Sequence, residues 1–193
     1  MPSRAYVNWT STRSLILSAI EEVLAIEREG VNPDSRVHAL MQASVVLLAS
    51  HFQGFCRDLH TECVDALVSA AALPDEMEPI VRTEFTWGRQ LDRGNAQSSS
   101  LGSDFGRLGV EIWNRLRELD QDRADLNRSR LDRMNAWRNA IAHQNFDTLD
   151  HDSLDAQVVT RWRASCEQLA LDLDRVLRTH LKILGGGDEP WEA

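Results

Sequence analysis

The chain has 193 residues, of which 42% are hydrophobic, and a formal net charge of −9. This length is enough for one domain with a sizeable core, and the negative charge argues against a protein that coats nucleic acid indiscriminately. Helix-forming residues dominate and Tyr occurs once, so we expect an all-α protein.

Apolar periodicity predicts two helices in the first third of the chain. The first covers about residues 11–29 and ends at Gly30, with four side chains directed inward: Ile16, Ile20, Val23 and Leu24. Residues 32–35 (NPDS) are typical of a turn that also caps the next helix. That helix, about residues 35–71, is apolar nearly all round in its first half, so we expect it to lie at the centre of a bundle.

Residues 37–56 contain no Asp, Glu, Lys or Arg, which is also a property of membrane spans. Polar residues such as His38, Gln42 and Ser50 interrupt the stretch, however, and we interpret it as a central bundle helix without membrane contact. The N-terminus lacks the features of a secretory signal. The three cysteines have no metal-binding spacing and suit buried, reduced thiols: Cys56, Cys63 and Cys166. We therefore expect a cytoplasmic protein.

The middle of the chain is less regular. Residues 73–75 (LPD) break the long helix, and a helix of about residues 75–91 follows, carrying Met77, Ile80, Val81, Phe85 and Trp87. Residues 93–100 are polar and predict a flexible loop. The next helix is predicted to extend to about Leu119, with an apolar series at Phe105, Leu108, Ile112, Leu116 and Leu119. Residues 120–126 are predicted to be a charged connector.

Residues 127–145 predict one helix with Asn127 as its N-cap. Its apolar stripe consists of Leu131, Met134, Trp137 and Ile141. A second, polar stripe contains Asn135, Asn139 and His143, with Asp132 nearby. Asparagine is a mediocre helix former, so we expect something other than core packing to keep two of them on one face.

The last helix covers about residues 153–184, after an Asp-rich loop at 146–152. Its heptad positions alternate by three and four residues: Val159, Trp162, Cys166, Leu169, Leu173, Val176, His180 and Ile183. Gly185-Gly186-Gly187 ends it and leaves a frayed tail. We therefore predict one domain over residues 1–193, with 185–193 flexible, built as an up-and-down bundle of five or six helices.

The common nucleotide-binding, zinc-protease and esterase motifs do not occur in the sequence. What remains is the pair Arg138 and His143, and its bare spacing discriminates poorly. A second pair with that spacing, Arg175 and His180, is discounted because His180 falls on the apolar stripe of the last helix. Five helical steps place Arg138 and His143 about 140° apart, so either the helix frays at His143 or a second copy of the chain completes the pair.

The motif RNAIAH at 138–143, near the end of a late helix in a small all-α chain, resembles the signature of the HEPN superfamily. Arg138, Asn139 and His143 match its Arg, polar and His positions. The segment HFQGFCRDL at 51–59 also resembles the corresponding region of RiboL-PSP-type members. The resemblance implies a helical fold, a homodimer in which two motifs face each other, and metal-independent cleavage of RNA in toxin–antitoxin, phage-defence or RNA-processing systems. It implies no cofactor and no metal.

Cleavage of RNA without metal needs a proton shuttle and a fixed cation at the phosphate. His143 suits the first role, Arg138 the second, and Asn139 is placed to hydrogen-bond His143 or the phosphate. Substrate contacts are assigned to Arg133, Asn135 and Trp137, although Trp137 lies on the apolar stripe and core packing is the competing interpretation. Residues 107–143 carry eight Arg against six acidic residues, which makes this segment a candidate RNA-binding surface, or an ordinary solvated one.

Two alternatives stay open. One is a non-catalytic HEPN module that binds a partner protein, such as a nucleotidyltransferase-like antitoxin, or a nucleotide. The other is a helical bundle in which the motif is accidental, which predicts that His143 lies outside any cleft.

Overall fold

The computed structural model describes residues 1–28, 34–147, 149 and 153–191, and these form helices and connecting loops without strands. The prediction of an all-α chain is confirmed. The α-helices are α1 (Arg4–Asn8), α2 (Ser14–Arg28), α3 (Asp34–Ala70), α4 (Glu78–Thr86), α5 (Ser98–Gly106), α6 (Ile112–Leu119), α7 (Gln121–His143) and α8 (Ala156–Leu184). A π-helical segment, Trp9–Arg13, joins α1 to α2 without a break. If α1, the π-helical segment and α2 are counted as one helix, the described residues contain seven α-helices.

The first helix begins earlier than predicted. Ser3 caps α1, because its hydroxyl accepts a hydrogen bond from the backbone N–H of Tyr6. Leu17 is buried and Ile20 half-buried, whereas Ile16 is 43% exposed, so its predicted inward position is wrong. The side chains of Val23 and Leu24, the helix end at Gly30 and the turn and caps at 32–35 lie outside the described residues.

Helix α3 lies at the centre of the bundle, as predicted, and packs against α1, α2, α4, α7 and α8. Its fully buried residues include Phe52, Phe55, Cys56 and Leu59. By length and mean hydropathy (1.3), residues 36–70 are also the one described helix that could cross a membrane, yet half of the apolar window is buried against other helices. Burial of this kind is what a core helix shows, and length and composition alone are weak indicators of a span.

Gly54 of α3 lies directly against the side chain of Arg13 in the first helix. The Arg13 guanidinium lies against it and donates to the His51 carbonyl (3.2 Å) and to the Asp58 carboxylate (2.6 Å). A Cβ on Gly54 would collide with that guanidinium. The glycine therefore lets a π-helical segment dock an arginine onto the central helix.

A buried polar cluster joins α3 to the short 3₁₀ turn Gln90–Asp92 and to α5. His60 donates through Nε2 to the Asp104 carbonyl (3.1 Å). Arg89 lies on the other side of the ring, 3.4 Å from Nδ1, and pairs with Asp92. The Asp104 carboxylate accepts the N–H groups of Gln90 and Leu91. Sequence spacing gave no indication of this cluster, because its members come from three separate segments.

The predicted helices between residues 75 and 119 are shorter than expected. The helix expected over residues 75–91 is reduced to α4. The side chains of Ile80 and of the two cap residues, Met77 and Trp87, are exposed. The helix expected to reach Leu119 is two helices, α5 and α6, because Gly109 adopts a positive φ of 76° between them. Leu119 is exposed rather than part of the core.

Helix α8 follows the predicted heptad as far as Val176 on its buried side. His180 is half-buried and donates to the Leu108 carbonyl (3.0 Å), while Ile183 is exposed, contrary to the heptad. The glycine run ends the helix, and the tail contacts the end of α8 as far as residue 191. Glu189 pairs with Arg178 and Lys182, and Trp191 is buried.

Candidate functional site

Helix α7 carries the motif, and it is longer than the sequence indicated. It begins at Gln121, with Asp120 as N-cap accepting the N–H of Arg123 (3.0 Å). The charged connector predicted at 120–126 is therefore helical, and Asn127 is a buried residue inside the helix rather than its cap. The predicted apolar stripe is confirmed: Leu131, Met134 and Trp137 are buried and Ile141 is half-buried.

The polar stripe of α7 binds the loop before α5. Asp132 accepts the backbone N–H and the hydroxyl of Ser98 (2.8 and 2.6 Å). One turn on, Asn135 donates to the carbonyl of Ala96 (3.0 Å). The loop predicted to be flexible at 93–100 is thus fixed at successive turns of the helix, and Ser98 already belongs to α5. This gives Asn135 a role beyond core packing: its amide supplies the hydrogen-bond partner of a loop carbonyl.

The third contact of this series reaches the motif itself. The Asn139 side-chain oxygen accepts a hydrogen bond of 2.6 Å from Nδ2 of Asn95. The same oxygen lies 3.4 Å from Nη1 of Arg138, the residue beside it in the chain. Among the described residues no hydrogen bond joins Asn139 to His143, so the expected contact within one turn does not form.

His143 is the last residue of α7 and is exposed. Gln144 follows in the left-handed conformation (φ 52°), and the N–H of Asn145 returns to the Ala140 carbonyl (3.0 Å), which closes the helix end. The helix therefore does not fray before His143. At 100° per residue, Arg138 and His143 point about 140° apart on one chain, and a single copy does not bring the two side chains together.

The three residues assigned to substrate contact have different environments. Arg133 is exposed on α7. Asn135 is 1% exposed and Trp137 is 5% exposed, and the Trp137 ring lies 6.3 Å from that of Phe146. Both side chains are buried in this structure, and core packing is confirmed for Trp137. Contact of either residue with a substrate stays a prediction.

The basic character of residues 107–143 is concentrated toward the motif at residues 138–143. Residues 127–143 contain four arginines and one aspartate, and that aspartate, Asp132, is bonded to Ser98. Earlier arginines pair with carboxylates, as in Arg117 with Asp125 and Arg123 with Asp120. An open groove of about 650 Å³ lies along the middle of α7, lined by Ser129, Arg130, Asp132, Arg133, Ala136 and Trp162. Residues 127–143 therefore carry a net positive formal charge.

The described residues contain no group of three or more His, Cys, Asp or Glu side chains arranged to hold a metal ion. The three cysteines are buried, and burial raises the pKa of each thiol above its ordinary value. They are separate from the motif and offer it no nucleophile.

The chain matches one family model, described as RiboL-PSP-HEPN, over residues 14–179. The matched region runs from the start of α2 into the last part of α8 and contains all of α7. No curated protein and no solved structure matches the sequence.

Proposed function

The chain belongs to the RiboL-PSP-HEPN family, as its motif suggested, and we propose that it is a metal-independent endoribonuclease whose active site is completed by two copies of the chain. We further propose that it acts in the cytoplasm as a toxin or phage-defence effector, with RNA as substrate and an antitoxin protein as a possible regulator. The HEPN assignment gives the class of module.

The observation that carries the proposal is the geometry of α7. Arg138 is half-buried and fixed beside Asn139, and His143 is exposed at the helix end. The helix stays regular through His143, which leaves the pair divergent on one protomer. Two α7 ends facing each other would place the histidine of one copy near the arginine of the other. A homodimer therefore supplies what a monomer lacks.

The proposed reaction needs no group beyond these side chains. The 2′-oxygen of a ribose attacks the adjacent phosphorus as the P–O5′ bond breaks, giving a 2′,3′-cyclic phosphate and a 5′-hydroxyl. One His143 accepts the proton of the 2′-hydroxyl, and the other donates a proton to the leaving 5′-oxygen, since histidine exchanges protons near neutral pH. Arg138 donates hydrogen bonds to the non-bridging phosphate oxygens, where negative charge accumulates.

Cleavage assays with single variants test this proposal. Wild type, His143→Ala and Arg138→Ala would be incubated with cellular RNA in the presence of a chelator, and the products analysed for cyclic phosphate ends. We expect wild type to cleave, and each variant to lose about a hundredfold or more in rate. His38→Ala and Arg36→Ala, both exposed on the first turns of α3, serve as matched controls that keep the wild-type rate.

A substrate carrying a 2′-deoxy sugar at the cut site isolates the chemistry. We expect it to bind and to resist cleavage, because the attacking oxygen is missing. Cleavage that persists in both motif variants, or that proceeds on the deoxy substrate, contradicts the proposed mechanism. Wild type that neither cleaves RNA nor slows growth would instead favour a non-catalytic module that binds a partner protein or a nucleotide.

A further inference from the structure

Asn95 contacts the motif from outside α7, and the structure gives it a defined place. It precedes α5 in the loop that Asp132 and Asn135 hold through Ser98 and Ala96. Asn95 itself is 9% exposed. Because the loop is anchored two and one helical turns before Asn139, the Asn95 amide has little freedom to leave its partner.

The two donors on the Asn139 oxygen fix which way its amide faces. An asparagine pair alone is ambiguous, because both amides could be flipped together and still form one hydrogen bond. Arg138 removes the ambiguity, since a guanidinium only donates. With Nη1 of Arg138 at 3.4 Å, the Asn139 atom between the two side chains must be the oxygen, and the Asn95 atom at 2.6 Å must be Nδ2.

The nitrogen of Asn139 is consequently left as an outward donor. Asn139 is half-buried, and among the described residues its Nδ2 has no hydrogen-bond partner. This N–H₂ group and the remaining N–H groups of Arg138 form a small array of donors for which the described residues supply no acceptor. Phosphate oxygens accept hydrogen bonds and carry the negative charge that such an array attracts.

We propose that Asn95 is a positioning residue for the ribonuclease reaction: together with Arg138 it orients the Asn139 amide so that its Nδ2 donates to the scissile phosphate. This inference rests on the proposed function, because it assigns a role within the same site. Asn95 itself does not touch the phosphate. It acts by occupying the Asn139 oxygen.

The substitution Asn139→Asp separates positioning from support of the fold. A carboxylate at 139 still accepts from Asn95 and from Arg138, so every contact within the chain is kept, while the outward donor becomes a negatively charged acceptor. We expect the midpoint of urea unfolding to stay at or above the wild-type value and cleavage to fall by about tenfold to a hundredfold. A merely structural role for residue 139 predicts wild-type cleavage instead.

The substitution Asn95→Asp tests the orienting contact from the other side. An aspartate cannot donate to the Asn139 oxygen, so the Asn139 amide turns its nitrogen inward and exposes an acceptor. We expect Asn95→Asp to lose cleavage mainly in kcat, and Asn95→Ala, which removes the constraint without reversing it, to lose less. Asn114→Asp, an exposed position on α6, is the matched control and keeps the wild-type rate.

A binding measurement makes failure of this inference distinguishable from failure of the proposed function. A short 2′-deoxy oligonucleotide would be titrated into ¹⁵N-labelled protein, with the side-chain amide signal of Asn139 as readout. We expect that signal to shift in wild type and not in Asn95→Asp, whether or not wild type cleaves RNA. An unshifted Asn139 amide, or Asn139→Asp and Asn95→Asp variants that cleave like wild type, would overturn the positioning role while leaving the ribonuclease assignment to its own assay.

Discussion

Replacing His60 with glutamine is expected to flatten the dependence of stability on pH between about pH 5 and 7. The His60 side chain is fully buried, and its pKa is lowered from 6.5 to about 4, mainly by burial and further by the positive charge of Arg89. Glutamine removes the titrating group, and its amide can still donate toward the Asp104 carbonyl that accepts from His60 Nε2.

The sign follows from the two protonation equilibria. The unfolded chain takes up a proton on His60 below about pH 6.5, whereas the folded chain does so only below about pH 4. The unfolded state therefore binds more protons in this window, and the free energy of unfolding falls as the pH is lowered through it. At about 1.4 kcal/mol per pKa unit, the full effect is roughly 3 kcal/mol, of which roughly 2 kcal/mol falls between pH 7 and pH 5.

Urea denaturation at a series of pH values measures this effect directly. The difference in unfolding free energy between wild type and His60→Gln isolates the histidine, because other shifted groups, such as His51 and Glu62, are common to both proteins. His180→Gln retains His60 and serves as a control that keeps the slope contributed by it. Parallel curves for wild type and His60→Gln between pH 5 and 7 would refute the reasoning.

Three further predictions concern the packing that supports the site. Gly54→Ala is expected to destabilise the protein by roughly 1–3 kcal/mol in urea unfolding, because Arg13 must leave its partners on α3. In an Arg13→Ala background the same substitution should cost little. An undiminished cost in that background would contradict this cause. Asp104→Ala leaves two backbone N–H groups without their acceptor and should lower the free energy of unfolding by roughly 2–4 kcal/mol. An unfolding midpoint equal to that of wild type would show that the carboxylate contributes nothing to stability. A thiol reagent should modify none of the buried cysteines in the native protein: Cys56, Cys63 and Cys166. All three should react once the protein is unfolded. Rapid labelling of the native protein would contradict their burial.

The long helices were predictable because each buries a continuous apolar stripe. The heptad of the last helix and the apolar first half of α3 are local patterns, and the structure keeps both with boundaries shifted by a few residues. The start of α7 was misplaced because residues 121–126 are charged, and charge was interpreted as a connector. Half of these side chains are exposed, and they belong to the first turns of a helix that Asp120 caps.

The loop before α5 shows what composition does not convey. Its Asn and Ser residues indicate a flexible segment when their partners are unknown. The partners are Asp132, Asn135 and Asn139, which lie 34 to 44 positions away in sequence. The sequence did indicate that the asparagines of α7 needed a reason beyond core packing. That the reason is a long-range hydrogen bond, and that it involves Asn95, required the structure.

Cleavage by mixed dimers tests the central claim most directly. Two differently tagged chains, one wild type and the other Arg138→Ala/His143→Ala, would be co-expressed and the species carrying both tags isolated. This mixed dimer holds one complete motif, so a site contained within one chain would keep about half of the wild-type rate. The shared site needs a histidine from each copy, and we therefore predict that the mixed dimer cleaves RNA at least about tenfold more slowly than wild type. A mixed dimer that keeps about half of the wild-type rate, or wild type that cleaves as a monomer, would contradict a shared site.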